Sequence, residues 1–164
     1  GSDLRAAERT YQLVRQVSGR AGRTDNRGRA LIQTHQPEHP VVKAILRGDD
    51  DNFWVSEAKQ RELACMPPFG KLVGIIISSS NLERATFLAN QLKKNTQALD
   101  VIGARVYGPA PAPIARIKRR HRIRFLIKSP RTPGLQNAVR KWVATVSLKG
   151  DLRLSIDIDP QSFY

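Results

Sequence analysis

The chain has 164 residues, with 28 Lys and Arg against 14 Asp and Glu and a formal net charge of +14. Hydrophobic residues make up 40%, which excludes wholesale disorder, and no run approaches the roughly 18 apolar residues of a membrane helix. A single cysteine, Cys65, excludes a disulfide framework and a four-cysteine zinc site, while the lack of a charged-then-apolar leader points to a soluble cytoplasmic protein.

Gly1-Ser2 reads as a cloning scar. Asp3 is placed to cap a helix running to Gly19, with Leu4, Ala7, Tyr11 and Val14 on one stripe. A glycine- and arginine-rich loop then leads to a short strand, Arg29–Thr34. Pro37 and Pro40 precede a helix over Val41–Leu46, and Gly48-Asp49 caps another over Asp51–Ala64. Met66-Pro67-Pro68-Phe69-Gly70 is a hard stop, because proline forbids helix and forces extended geometry. The parts are thus 3–40, a helical linker over 41–68, and a C-terminal domain over 69–164.

Beyond Gly70, Leu72–Ser79 is a central strand, apolar on both faces. Ser80 and Glu83 form a capping box for a helix over 81–99. Val101–Tyr107 is a strand closed by Gly108-Pro109, with Pro111 and Pro113 stiffening the following loop. Ile114–Lys118 and Arg122–Lys128 form a hairpin turning at 119–121. Leu135, Ala138, Val139, Trp142, Val143 and Val146 line an amphipathic helix begun at Thr132-Pro133. Leu152, Leu154, Ile156 and Ile158 alternate with polar residues as a strand with one buried face. Strand–helix–strand–strand–helix–strand predicts an α+β, split βαβ (ferredoxin-like) plan, an antiparallel sheet with both helices on one face.

Charge divides unevenly: residues 1–60 carry 10 basic and 8 acidic side chains, residues 61–164 carry 18 and 6. Between Asp100 and Asp151 stand twelve cations and no anion. Such a run repels itself unless a polyanion screens it, so nucleic acid is the leading partner; a solvated basic face is the bland alternative. Strand parity gathers Arg116, Lys118, Arg119, Arg120, Arg122, Arg124 and Lys128 on an open face or hairpin, with Arg131, Arg140 and Lys141 extending the patch. Arginine forks there would grip phosphates more than read bases. Base stacking has little support, since the first strand lacks aromatics and Phe125 has inward parity. Trp54 and Trp142 read as core, and Cys65 as packing. His35 and His39 have Pro37 between them and no third ligand, so no metal is expected.

Gln16-Val17-Ser18-Gly19-Arg20-Ala21-Gly22-Arg23 fits Q-x-x-G-R-x-G-R. Two arginines on a glycine-loosened helix end can reach a triphosphate across a cleft and stabilise charge on the transferred phosphoryl group; a plain basic helix terminus is the alternative. With Ile32-Gln-Thr34, Pro37-Glu-His-Pro40, Met66-Pro-Pro-Phe69, Gly108-Pro-Ala-Pro-Ala-Pro113 and Asp157-Ile-Asp-Pro160, the chain resembles the primosomal replication-restart DNA helicases from Asp3 to Tyr164. The resemblance implies the end of the second helicase lobe followed by the family's C-terminal DNA-binding domain. It implies an ATP-driven superfamily 2 enzyme of the bacterial nucleoid that recognises forked or single-stranded DNA, unwinds 3′ to 5′, displaces single-stranded-DNA-binding protein and reloads the primosome. Gln16, Gly19, Arg20, Gly22 and Arg23 match its sixth motif, with Arg20 and Arg23 as arginine-finger candidates; Ser18 stands where alanine is usual.

ATP, magnesium and zinc are implied for the parent protein and none for this fragment. The sequence contains no G-x-x-x-x-G-K-[ST] loop, no acidic box for magnesium and no paired cysteines. It cannot turn over ATP alone. Two other functions stay open. One is docking of the acidic tail of single-stranded-DNA-binding protein on Arg131, Gln136 and Arg140. The other is an RNA- or ribosome-associated ferredoxin-like domain.

Overall fold

A computed structural model describes residues 5–21 and 28–160. The chain divides into two compact units, Asp3–Gln60 and Arg61–Tyr164.

The first unit is built on α1 (Ala6–Ser18), α2 (Pro40–Arg47) and the greater part of α3 (Asp50–Leu63). Tyr11, Val41, Ile45 and Phe53 are buried together, with Ala7, Val14 and Ile32 against them. Tyr11 stacks on Phe53 at 4.0 Å between ring centroids, and Trp54 meets both rings edge-on. Trp54 keeps 38% of its surface exposed, so it borders this core where full burial was expected. α2 begins at Pro40, with His39 Nδ1 accepting from the Val41 N–H, and it ends at Gly48 in the left-handed conformation. Asp49 caps α3 by accepting from the Asn52 N–H at 3.2 Å. The expected Asp3 cap and Leu4 lie outside the described residues. The expected strand over 29–34 is irregular chain without a ladder; strand pairing needs a neighbour, and none is supplied there among the described residues.

The second unit is an antiparallel sheet of order β2-β3-β1-β4. Its strands are β1 (Gly70–Ser79), β2 (Arg105–Ile117), β3 (Arg120–Pro130) and β4 (Arg153–Ile158). The helices are α4 (Leu82–Lys94), the single turn α5 (Gln97–Asp100) and α6 (Leu135–Val143). The order is the one a split βαβ plan requires, and the fold is α+β as expected. Val73, Ile75 and Ile77 of β1 and Ile123, Phe125 and Ile127 of β3 form one buried face. Leu88, Leu92, Leu135, Val139 and Trp142 cover it from the helices. Trp142 is fully buried, edge-on to Phe125, and its indole N–H donates to the Leu92 carbonyl at 2.9 Å.

Five local expectations change. Asn81, not Ser80, caps α4, accepting from the Arg84 N–H; both Ser80 donors go instead to Asp151. The helix over 81–99 breaks after Lys94 and resumes as α5. β2 continues through Pro109, Pro111 and Pro113 where a loop was expected. It is an edge strand, so prolines can leave their missing N–H on the unpaired side, and two register shifts absorb the rest. β4 buries little: Ile156 and Ile158 remain 43% and 44% exposed on its helix-side row, and only Leu154 packs on the core. Cys65, expected to pack, is exposed.

Candidate nucleic-acid interface

The strand register maps the sheet face opposite the helices. Reading across β4, β1, β3 and β2, one row is Arg153, Ser78 and Arg122, and the next is Ser155, Ile76, Arg124 and Ala110. Asp157, Gly74, Leu126 and Tyr107 form the third, and Leu72, Lys128 and Arg105 the fourth. Arg122, Arg124 and Lys128 therefore do share a face, and Arg105 and Arg153 join them. Neither of the latter two was singled out from the sequence. Both sit at the starts of strands, with apolar residues on either side in alternation, and that parity is the signal that finds them.

The rest of the expected patch is dispersed. Arg116 pairs with His121 and so falls in the register of the Ile123–Ile127 row. Between Pro111 and Arg116 the ladder is irregular, and that shift defeats simple alternation. Lys118 and Arg119 are the two turn residues, both with positive φ, and both are exposed at the hairpin tip. The turn is thus one residue earlier than expected, and Arg120 belongs to β3.

Arg120 is engaged internally. It donates to the Ser78 carbonyl at 2.9 Å and the Asp151 carbonyl at 2.6 Å, and pairs with the Asp151 carboxylate at 3.5 Å. Asp151 also accepts from the Ser80 N–H and from the hydroxyls of Ser80 and Ser79. Those donors, with Arg120 as a lesser contributor, hold its carboxyl well below the usual carboxylate range. This cluster ties the hairpin and the segment before β4 to the end of β1.

Arg131, Arg140 and Lys141, expected to extend the patch, lie before and on α6, away from the open sheet face. Leu135, Ala138 and Val139 turn inward onto the helix-covered face, leaving Gln136 and Arg140 exposed, one turn apart, on the outer side of α6. Arg131 donates to the Pro68 carbonyl at 3.3 Å. The basic window thus serves two surfaces, one beneath the sheet and one on the far side of α6.

Asp159 explains much of the Asp157–Pro160 motif. Its carboxylate pairs with Lys71 and accepts from the Leu72 N–H, while its own N–H donates to the Leu72 carbonyl at 2.7 Å. This fastens the end of β4 to β1.

In the first unit, Gln16 and Arg20 are exposed, Gln16 near the end of α1 and Arg20 just beyond it. Gly19 is the C-cap, and the Arg20 and Ala21 N–H groups continue the turn onto Val17 and Ser18. Gly22 and Arg23 lie outside the described residues. No cluster of three His, Cys, Asp or Glu able to hold a metal occurs among the described residues.

Residues 62–161 match the primosomal protein N C-terminal domain family. The chain belongs to that family. It is 35% identical over 163 residues to the replication restart protein PriA of Rickettsia felis, covering 99% of this chain and 25% of that protein. Identity to the PriA of Treponema pallidum is 34%, covering 96% of this chain and 24% of the relative. With the Bacillus subtilis PriA it is 31%, covering 96% and 20%. The chain spans about a quarter of the length of the curated relatives it matches. No helix of the described residues is long and apolar enough to cross a membrane.

Proposed function

We propose that this primosomal protein N C-terminal domain binds DNA through phosphate contacts and serves replication restart within a larger ATP-driven helicase. The observation that carries the reading is the concentration of Arg105, Arg122, Arg124, Lys128 and Arg153 on one sheet face. Asp157 is the carboxylate on the mapped rows, and it lies on the far edge strand. Arginine forks set by strand parity suit phosphate oxygens, and such contacts position a backbone without reading sequence. Arg20 and Arg23 are finger candidates that act only beside a nucleotide-binding lobe, which this sequence does not contain.

Fluorescence anisotropy with single-stranded, duplex and forked oligonucleotides tests the proposal. With four to six phosphates engaged, log K should fall against log salt with a slope of about −3 to −5. Affinity that stays flat between low and physiological salt would refute it, and preference for RNA over DNA of equal length would favour the ribosome-associated alternative. The outer side of α6 supports a second contact: Gln136 and Arg140 are exposed together, placed for an acidic tail such as that of single-stranded-DNA-binding protein. Titration of a tail peptide should then shift the amide signals of residues 131–142, and unmoved signals would remove that partner.

A further inference from the structure

We infer that the sheet face opposite the helices is a single-strand platform on which Tyr107 stacks against a base while Arg105 and Lys128 hold the neighbouring phosphate. The inference rests on the DNA-binding reading and adds to it a contact that duplex DNA cannot make.

Tyr107 is on edge strand β2, directly opposite Leu126, and 45% of its surface is exposed. Its row runs through Leu126 to Gly74, which is buried and adds no side chain above the sheet. Ile76 and Leu126 are half-buried, so the ring stands at the border of a low, partly apolar floor. The next row places Arg105 directly opposite Lys128. Like charges facing each other across a ladder are destabilising, and an anion between them reverses that cost. Two residues along a strand separate the ring from this cation pair by about 7 Å. Asp157, the carboxylate in the Tyr107 row, is three strands away, about 14 Å, beyond effective reach at physiological salt.

Gly108 holds the arrangement. It has φ +111°, and a Cβ there would come within 2.7 Å of the Arg124 carbonyl. The bulge it allows interrupts the β2 ladder immediately after Tyr107, and pairing resumes at Ala110. A base has its π-face free only when unpaired and unstacked from its neighbours, so a ring of this kind selects single strands. The cation pair alone would accept any backbone.

The test is anisotropy with the full chain, using oligo(dT), a fully abasic oligomer of equal length, and duplex. Tyr107→Ala should weaken oligo(dT) binding about fivefold or more, with abasic and duplex binding unchanged. Tyr107→Phe, which keeps the ring, should bind oligo(dT) like the parent chain. Lys128→Ala should weaken all three probes and reduce the magnitude of the salt slope by about 0.7 on the single strand. Unchanged oligo(dT) binding by Tyr107→Ala, with salt-dependent DNA binding otherwise intact, overturns the stacking contact alone. An equal loss on duplex or abasic probe overturns it too, since the ring would then act through structure. If the parent chain binds none of the probes, the DNA-binding reading fails and this one with it.

Discussion

Tyr11 carries more of the first unit's organisation than its position in a charged helix suggests. Its ring is buried against Phe53, and its hydroxyl donates to Asp50, which also accepts from Arg15 at 3.0 Å. Burial, and then Asp50 as acceptor and neighbouring charge, push the phenol from 10.0 up to about 12. The hydrogen bonds from Tyr11 and Arg15 lower Asp50 in turn. The folded phenol thus holds its proton at pH values where the unfolded one has lost it, and the stability gained is intact below pH 10 and lost as pH rises through about 12. Denaturant melts across that range should fall more steeply for the parent chain than for Tyr11→Phe; parallel curves would mean the phenol ionises freely. The i, i+4, i+7 stripe of Ala7, Tyr11 and Val14 made this burial legible in advance. The partner was not legible, because Asp50 is 39 positions away and only the packing of α3 brings it near. Tyr107 is hidden in the sequence for a different reason: Gly108-Pro109 closes the apparent strand directly after it, so no alternation beyond it marks which face it takes.

At the scale of elements, the fixing of α6 to α4 and the sheet depends on Trp142. The indole fills the space over Phe125, and its N–H reaches the Leu92 carbonyl on α4. Truncation to Ala leaves a large cavity and removes one of two donors to the Leu92 carbonyl, which also accepts from the Asn95 N–H, and should cost about 3–5 kcal/mol. Trp142→Phe refills much of the cavity and should cost appreciably less. Chemical denaturation of the two variants separates these terms, and a loss under about 1 kcal/mol for Trp142→Ala would mean that α6 is held elsewhere. The helix itself was plain in the sequence from six apolar residues at helical spacing, and β1 from its β-branched run. β2 beyond Tyr107 was not, since three prolines argue against a strand and only an edge position makes them tolerable. The cap of α4 was misread for a similar reason. Ser80 has the right chemistry, but its hydroxyl is turned to Asp151, 71 residues away, and the side-chain oxygen of Asn81 accepts the Arg84 N–H instead.

Across the whole molecule the governing quantity is charge. Residues 61–164 hold 18 basic and 6 acidic side chains. Two carboxylates of this unit, Asp151 and Asp159, are committed to internal ion pairs with Arg120 and Lys71. Arg105 faces Lys128 directly, and Lys118 and Arg119 follow one another at an exposed turn. The excess cations therefore repel one another, and folding brings them closer than they are in the extended chain. Screening should relieve this. The Debye length falls from about 10 Å at 0.1 M salt to about 3 Å at 1 M, which spans the separation of neighbouring rows on the sheet. Adding sodium chloride should accordingly raise the melting temperature of this unit, followed by the near-ultraviolet signal of buried Trp142. Each kcal/mol of relieved repulsion corresponds to about 4–8 °C for a domain of this size. The Arg120–Asp151 and Lys71–Asp159 pairs act in the opposite sense, because salt weakens them. They number fewer than the unbalanced cations, and both are reinforced by hydrogen bonds to backbone groups, which screening weakens less than it weakens an ion pair. A melting temperature that falls with added salt would show that these two clamps outweigh the repulsion, and would leave the crowding of cations on the sheet face without an energetic cost for a polyanion to relieve.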